Sequence, residues 1–142
     1  MSGPIKVGSV IAGKYRVERV LGRGGMGLVI AATHLELREL RAIKLIRPDR
    51  VGRADILDRF MREARAAARL KSQHVAKVYD VGRLDDGAPY MVMEYLDGCD
   101  LSALRHKGDP LPVADVALYA IQICDALAEA HGARTRVLRR GH

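Results

Sequence analysis

Apolar and polar residues alternate at Tyr15-Arg16-Val17-Glu18, and a largely β-branched run, Leu28-Val29-Ile30-Ala31-Ala32-Thr33, follows a cluster of glycines. Period two places alternate side chains on opposite faces, so this stretch predicts two strands joined by a glycine turn. A third strand is predicted from about Leu40 to Ile46, and Pro48-Asp49-Arg50 with Gly52 marks a loop after it. From about Ala54 to Lys71 the period changes. Ile56, Phe60, Ala64, Ala67 and Leu70 recur at helical spacing among strong helix formers. Two more strands are expected near Val75–Leu84 and Tyr90–Tyr95, with Asp85-Asp86-Gly87 as the hairpin turn between them. Gly98 then breaks the pattern, a short helix is expected around Asp100–Arg105, and Gly108-Asp109-Pro110-Leu111-Pro112 introduces a long helix from about Val113 to His131.

The 142 residues are 49% hydrophobic, enough for one domain or part of a larger one. A net charge of +7 raises the question of an anionic partner, but Arg134, Arg136, Arg139 and Arg140 sit together in a tail without acids. Elsewhere arginines and acids interleave, as in Arg59-Phe60-Met61-Arg62-Glu63, so no nucleic-acid partner is expected. Cys99 and Cys124 have no metal-ligand spacing and are too few for a disulfide framework, so no metal site is assigned. Met1 to Lys14 holds no apolar run of signal-peptide length, and the apolar stretch Val113–Ala130 is interrupted by Asp115, Gln122, Asp125 and Glu129. A soluble, cytoplasmic chain without a membrane segment is the expectation.

Chemistry enters with the glycines. The segment Leu21-Gly22-Arg23-Gly24-Gly25-Met26-Gly27-Leu28-Val29 fits several phosphate-binding designs and many plain turns. A dinucleotide site needs a helix after the glycines, where here a strand follows, and a P-loop needs Gly-Lys-Ser/Thr, where here Leu28 and Val29 stand. What remains is a strand, turn and strand whose side-chain-free positions let backbone N–H groups approach phosphates, or an ordinary hairpin.

That segment, with Arg41-Ala42-Ile43-Lys44, Arg59-Phe60-Met61-Arg62-Glu63 and Tyr90-Met91-Val92-Met93-Glu94-Tyr95, resembles the N-terminal lobe of a protein kinase. The Gly24-Gly25-Met26-Gly27 variant is similar to bacterial eukaryotic-like serine/threonine kinases. The resemblance runs from Tyr15 to His131 and implies an α+β fold: a five-stranded antiparallel sheet with one helix, then the first helices of a second lobe. It divides the chain into an extension over 1–14, a nucleotide-binding lobe over 15–96, hinge exit and first second-lobe helices over 97–131, and a basic tail over 132–142.

The resemblance also implies ATP as ligand, with Leu21, Gly22, Gly24, Gly27 and Val29 over it and Ala42 against the purine. Lys44 would meet the phosphates and pair with Glu63. Two residues apart on a strand, Ala42 and Lys44 share a face, and Glu63 lies beside the helix's apolar side. Taken alone, Lys44 reads as a solvated strand lysine and Glu63 as a partner of Arg59. Met93 matches the position that limits pocket depth, or is plain core. Backbone groups of Glu94 and Leu96 would hold the purine edge, and Asp100 would contact ribose or cap the next helix. Arg41 stands where the family has valine.

The same comparison expects, after His131, a catalytic-loop aspartate, a metal-binding asparagine and a DFG aspartate. Val137, Leu138 and Arg139 stand there instead, and no aspartate follows Asp125. Arginine accepts no proton near neutral pH. The Mg²⁺ of the family therefore finds no ligands in this chain. These residues read as a kinase fragment, truncated or frame-shifted before its catalytic loop, that does not transfer phosphate alone. A pseudokinase-like ATP-binding or regulatory module, docking on another kinase or protein, and a non-functional gene product are the alternatives. In the long helix Asp115, Gln122 and Glu129 make a narrow polar stripe on an otherwise apolar cylinder, so self-association through 113–131 is expected.

Overall fold

The computed structural model describes residues 5–25, 27–105 and 109–139. Met26 of the glycine turn, Gly108, and Arg140, Gly141 and His142 of the tail lie outside them. Two units compose the chain: residues up to Ala68 together with Ala76–Tyr95, and Arg69–Val75 together with Leu96 onward.

The first unit is an antiparallel sheet of six strands: β1 (Val10–Ile11), β2 (Tyr15–Arg23), β3 (Gly27–His34), β4 (Leu40–Ile46), β5 (Val78–Arg83) and β6 (Pro89–Glu94), in the order β1-β2-β3-β4-β6-β5. Five of these strands follow the sequence pattern. The sixth, β1, corrects the expected count and lies inside the stretch assigned to an extension. Its two residues, paired as Val10↔Arg16 and Ile11↔Tyr15, are too few to show a period. One sheet face carries Tyr15, Val17, Ile30, Ala32, Ile43, Leu45, Tyr90 and Val92, all buried, with Ile5, Ile11 and Leu84 packed on them. The opposite face carries Ile46 and Met91 against Ile56, Phe60 and Ala64 of helix α1 (Ala54–Ala68). No charged or polar residue is buried among the described residues. The β5–β6 turn closes as expected at Asp85-Asp86-Gly87: Gly87 has φ +82°, and the Ala88 amide donates to Asp86 Oδ1 at 3.0 Å.

β2 departs from plain alternation twice. Its pairing runs Val17↔Ala32, then Arg19↔Ala31 and Val20↔Ile30, then Gly22↔Val29, so Glu18 and Leu21 are bulged residues. The first bulge is pinned: Glu18 Oε1 accepts from the Thr33 hydroxyl at 2.7 Å and from Arg16 Nε at 3.1 Å. Both bonds hold its carboxyl below the ordinary glutamate range.

The second unit contains the segment Arg69–Val75, a short helix α2 (Leu101–Arg105) and a long helix α3 (Val113–Arg139). α3 passes through Gly132, where the sequence pattern predicted an end after His131. Glycine lowers helix stability without forcing a stop, and alanine, arginine and leucine after it are strong helix formers. The polar stripe meets chain as well as water. Glu129 accepts from the Lys71 and Ser72 amides, both at 2.7 Å, and Asp125 accepts from the Ser72 hydroxyl at 3.1 Å. Val113, Val116, Leu118, Ile121, Ile123 and Leu127 are exposed.

Candidate functional site

Strand β4 builds the centre of the site. Ala42, Lys44 and Ile46 face α1 while Ile43 and Leu45 face the other core, so alternation carries Lys44 across to the helix. There Lys44 Nζ meets Glu63 Oε2 at 3.3 Å, and Arg59, one turn earlier on α1, meets Glu63 Oε1 at 3.1 Å. Both partners weighed for Glu63 are therefore present together, one on each carboxylate oxygen. Burial pushes the Glu63 carboxyl up, but hydrogen bonds from Arg59 and Lys44 and their charges outweigh it and hold the group below the usual range. Glu63 is 39% exposed, so water screens both pairs and each contributes about 0–1 kcal/mol. Their effect is on position: the ammonium is held at the mouth of an adjoining cleft.

That cleft has a volume of about 500 Å³ and is lined by Gly22, Arg23, Gly24, Gly25, Gly27, Val29, Lys44 and Arg59. The turn above it closes through the Gly24 amide donating to the Gly27 carbonyl at 2.8 Å. A Cβ added at Gly22, Gly24 or Gly25 would meet no atom within 4 Å, whereas at Gly27 it would lie 2.0 Å from the Leu45 carbonyl oxygen. Gly27 is thus fixed by its own fold, and the other three leave backbone open to the cleft.

The register places the other sequence-predicted residues. Gly22, Val29, Lys44 and Met91 are cross-strand neighbours in one row, and Ala31, Ala42 and Met93 belong to the next row on the same face. Met93 is half-buried and packs against the α1 core. Leu21 is a bulged residue, 38% exposed, and does not line the cleft. The Glu94 amide is engaged by the Lys77 carbonyl at 2.8 Å. Leu96 and Asp100 belong to the second unit. Asp100 Oδ1 accepts from the Ala103 amide at 2.7 Å, the capping geometry foreseen for it. Arg41 lies over the Tyr79 ring at 4.3 Å and pairs with Glu39. Sequence reasoning did not assign Arg23, Gly25 and Arg59 to the cleft. Arg23 and Gly25 carried a signal in their place inside the glycine segment, and Arg59 in its spacing of four from Glu63.

The open backbone of the turn and the cations of the cleft suit the phosphates of a nucleotide. Magnesium does not fit the residues present. Among the described residues no three histidine, cysteine, aspartate or glutamate side chains are grouped for a metal, and Glu63 is already paired by two cations. No helix among them is long and apolar enough to cross a membrane.

A curled antiparallel sheet, one helix and a lysine–glutamate pair below a glycine turn together describe the nucleotide-binding part of a protein kinase domain. Residues 15–140 match that family, and the chain belongs to it. It is similar to the serine/threonine-protein kinase pkn3 of Myxococcus xanthus, 40% identical over 89% of this chain and 23% of that protein. It is also similar to PrkC of Bacillus subtilis, 36% identical over 88% of this chain and 19% of that one. Among solved structures, the PknI kinase domain of Mycobacterium tuberculosis is 31% identical, with a TM-score of 0.73, over 92% of this chain and 52% of that chain. The chain thus spans about a fifth of the length of these curated relatives and about half of that kinase domain.

Proposed function

We propose that this chain is the nucleotide-binding portion of an ATP-dependent protein serine/threonine kinase. The observation that carries the reading is the pairing of Lys44 with Glu63 beside a cleft roofed by open glycine backbone. In this reading the Gly22, Gly24 and Gly27 backbone and Lys44 hold the phosphates. Leu21, Val29, Ala42 and Met93 surround the base, backbone groups of Glu94 and Leu96 meet its edge, and Asp100 adds a ribose contact to its capping role. Bound ATP would supply the transferable phosphoryl group. The reading places the chain where ATP is available, in the cytoplasm.

Thermal-shift titration tests it. ATP at about a hundred times its dissociation constant stabilises the folded state by about 2.7 kcal/mol, so the midpoint should rise in the native chain and not in Lys44→Met. No rise in the native chain would reject the reading.

The chain has no aspartate after Asp125, and among the described residues no group of three side chains is placed to hold a metal, which favours a binding or regulatory role for this stretch by itself. The catalytic base and metal ligands would come from outside it. Purified 1–142 is expected to transfer no label from ATP in a single turnover, and transfer abolished by Lys44→Met would reverse that judgement. The exposed Val116, Ile121, Ile123 and Leu127 of α3 support self-association of the isolated polypeptide. Size-exclusion chromatography should show species larger than a monomer, and a stable monodisperse monomer would count against it.

A further inference from the structure

Arg19 and Tyr95 are 76 positions apart, Arg19 on β2 and Tyr95 immediately after β6, a strand that is not β2's neighbour, yet Arg19 donates a hydrogen bond to the Tyr95 hydroxyl. Its guanidinium carbon also lies 5.8 Å from the centre of the Tyr95 ring. The contact depends on the bulge at Glu18. Two residues after the buried Val17, Arg19 would share Val17's face in a regular strand. With Glu18 left unpaired, Arg19 instead opposes Ala31, on the face that carries Lys44. Arg19, Ala31, Ala42 and Met93 then form one cross-strand row, and Tyr95 stands just beyond its far end. Three strand spacings, about 14 Å, separate the ends of such a row. Alanine at both middle positions leaves the face open enough for the arginine to reach over it, and both alanines are buried, at 0% and 7% exposure.

This row lies two residues farther from the glycine turn than the row of Gly22, Val29 and Lys44, about 7 Å along the strands. If Lys44 marks the phosphate end of the cleft, the Arg19–Tyr95 contact marks the base end. We infer that Arg19 and Tyr95 form a clasp across the alanine floor that fixes β2 over the base of a bound nucleotide, a positioning pair for adenosine and not for the phosphates. The inference rests on the nucleotide reading above and adds to it a device in this chain's own residues. Arg19 is exposed and its removal opens no core, so the variants should fold.

The test is a double-mutant cycle on the full chain with Arg19→Met, Tyr95→Leu and both, titrated with ATP and with inorganic tripolyphosphate. Hydrogen exchange of the Val20–Gly24 amides is followed without ligand. Each single change should weaken ATP about fivefold, the scale of one hydrogen bond with its stacking contact. The double change should cost no more than the larger single one, because each removes the same contact. Tripolyphosphate affinity should stay unchanged, which a general loss of structure would not allow, and exchange of the β2 amides should quicken in every variant. Unchanged ATP affinity, losses that multiply in the double variant, or an equal loss for tripolyphosphate would overturn the clasp. If the native chain bound neither ligand while exchange still quickened in the variants, the nucleotide reading would fall and the clasp's nucleotide role with it, leaving only its hold on β2.

Discussion

Replacing Gly27 by alanine is expected to lower the thermal midpoint by roughly 5–10 °C, while the same change at Gly24 leaves it within a degree or so. The added methyl at Gly27 would stand 2.0 Å from the Leu45 carbonyl oxygen and 3.0 Å from its carbon, inside the van der Waals envelope of backbone that cannot swing aside. Relief requires β3 and β4 to separate at Gly27↔Ile46, where the ladder begins. Overpacking of this kind costs about 1–3 kcal/mol. At Gly24 the methyl enters open space, and any cost should fall on ATP affinity alone. Thermal melts of the two variants, each with and without ATP, separate these effects. Equal midpoints for Gly27→Ala and the native chain would show that the strands yield without penalty.

Phe60→Ala should cost about 3–5 kcal/mol, a large share of the 5–15 kcal/mol that holds a typical domain together. Phe60 is 1% exposed and is the largest side chain between α1 and the sheet, flanked by Ile56 and Ala64 on the helix and by Met91 and Ile46 opposite. Its removal leaves a cavity that the short Ala64 side chain does not fill. The effect reaches the site, because Glu63 is the next but two residue on the same helix and contacts Lys44 only while α1 is seated. Urea denaturation should show the lost stability. An ATP titration at a temperature where the variant remains folded should show weaker binding than the native chain. A loss below 1 kcal/mol would mean that α1 is held by something other than this contact.

These two residues also show what the chain's letters disclose. Phe60 was legible as core because Ile56, Phe60 and Ala64 keep helical spacing over a whole element. Alternation put Lys44 on one face with Ala42 and helical spacing put Glu63 beside the apolar stripe of its helix, but only the family resemblance read the two as a pair at a cleft. Leu21 and Arg19 were not legible, since a bulge has no signature in an alternating pattern and shows only in the pairing. β1 was missed because two residues carry no period. The stripe on α3 was read as Asp115, Gln122 and Glu129, but the partners of Glu129 are backbone amides of Lys71 and Ser72, which no side-chain pattern announces. Its neighbour Asp125 joins in through Ser72, a pairing fixed by tertiary approach alone.

The two irregularities of β2 cancel. The sum of paired residue numbers with β3 rises by one at Glu18 and by one again at Leu21, so Gly22 returns to the phase an uninterrupted strand would have given it, and only Arg19 and Val20 exchange sides. A hairpin can in this way turn one pair of residues inside out while its glycines keep their place. Aligning such strands by their glycines would give no warning of the inversion, and it would put the arginine on the wrong side of the sheet.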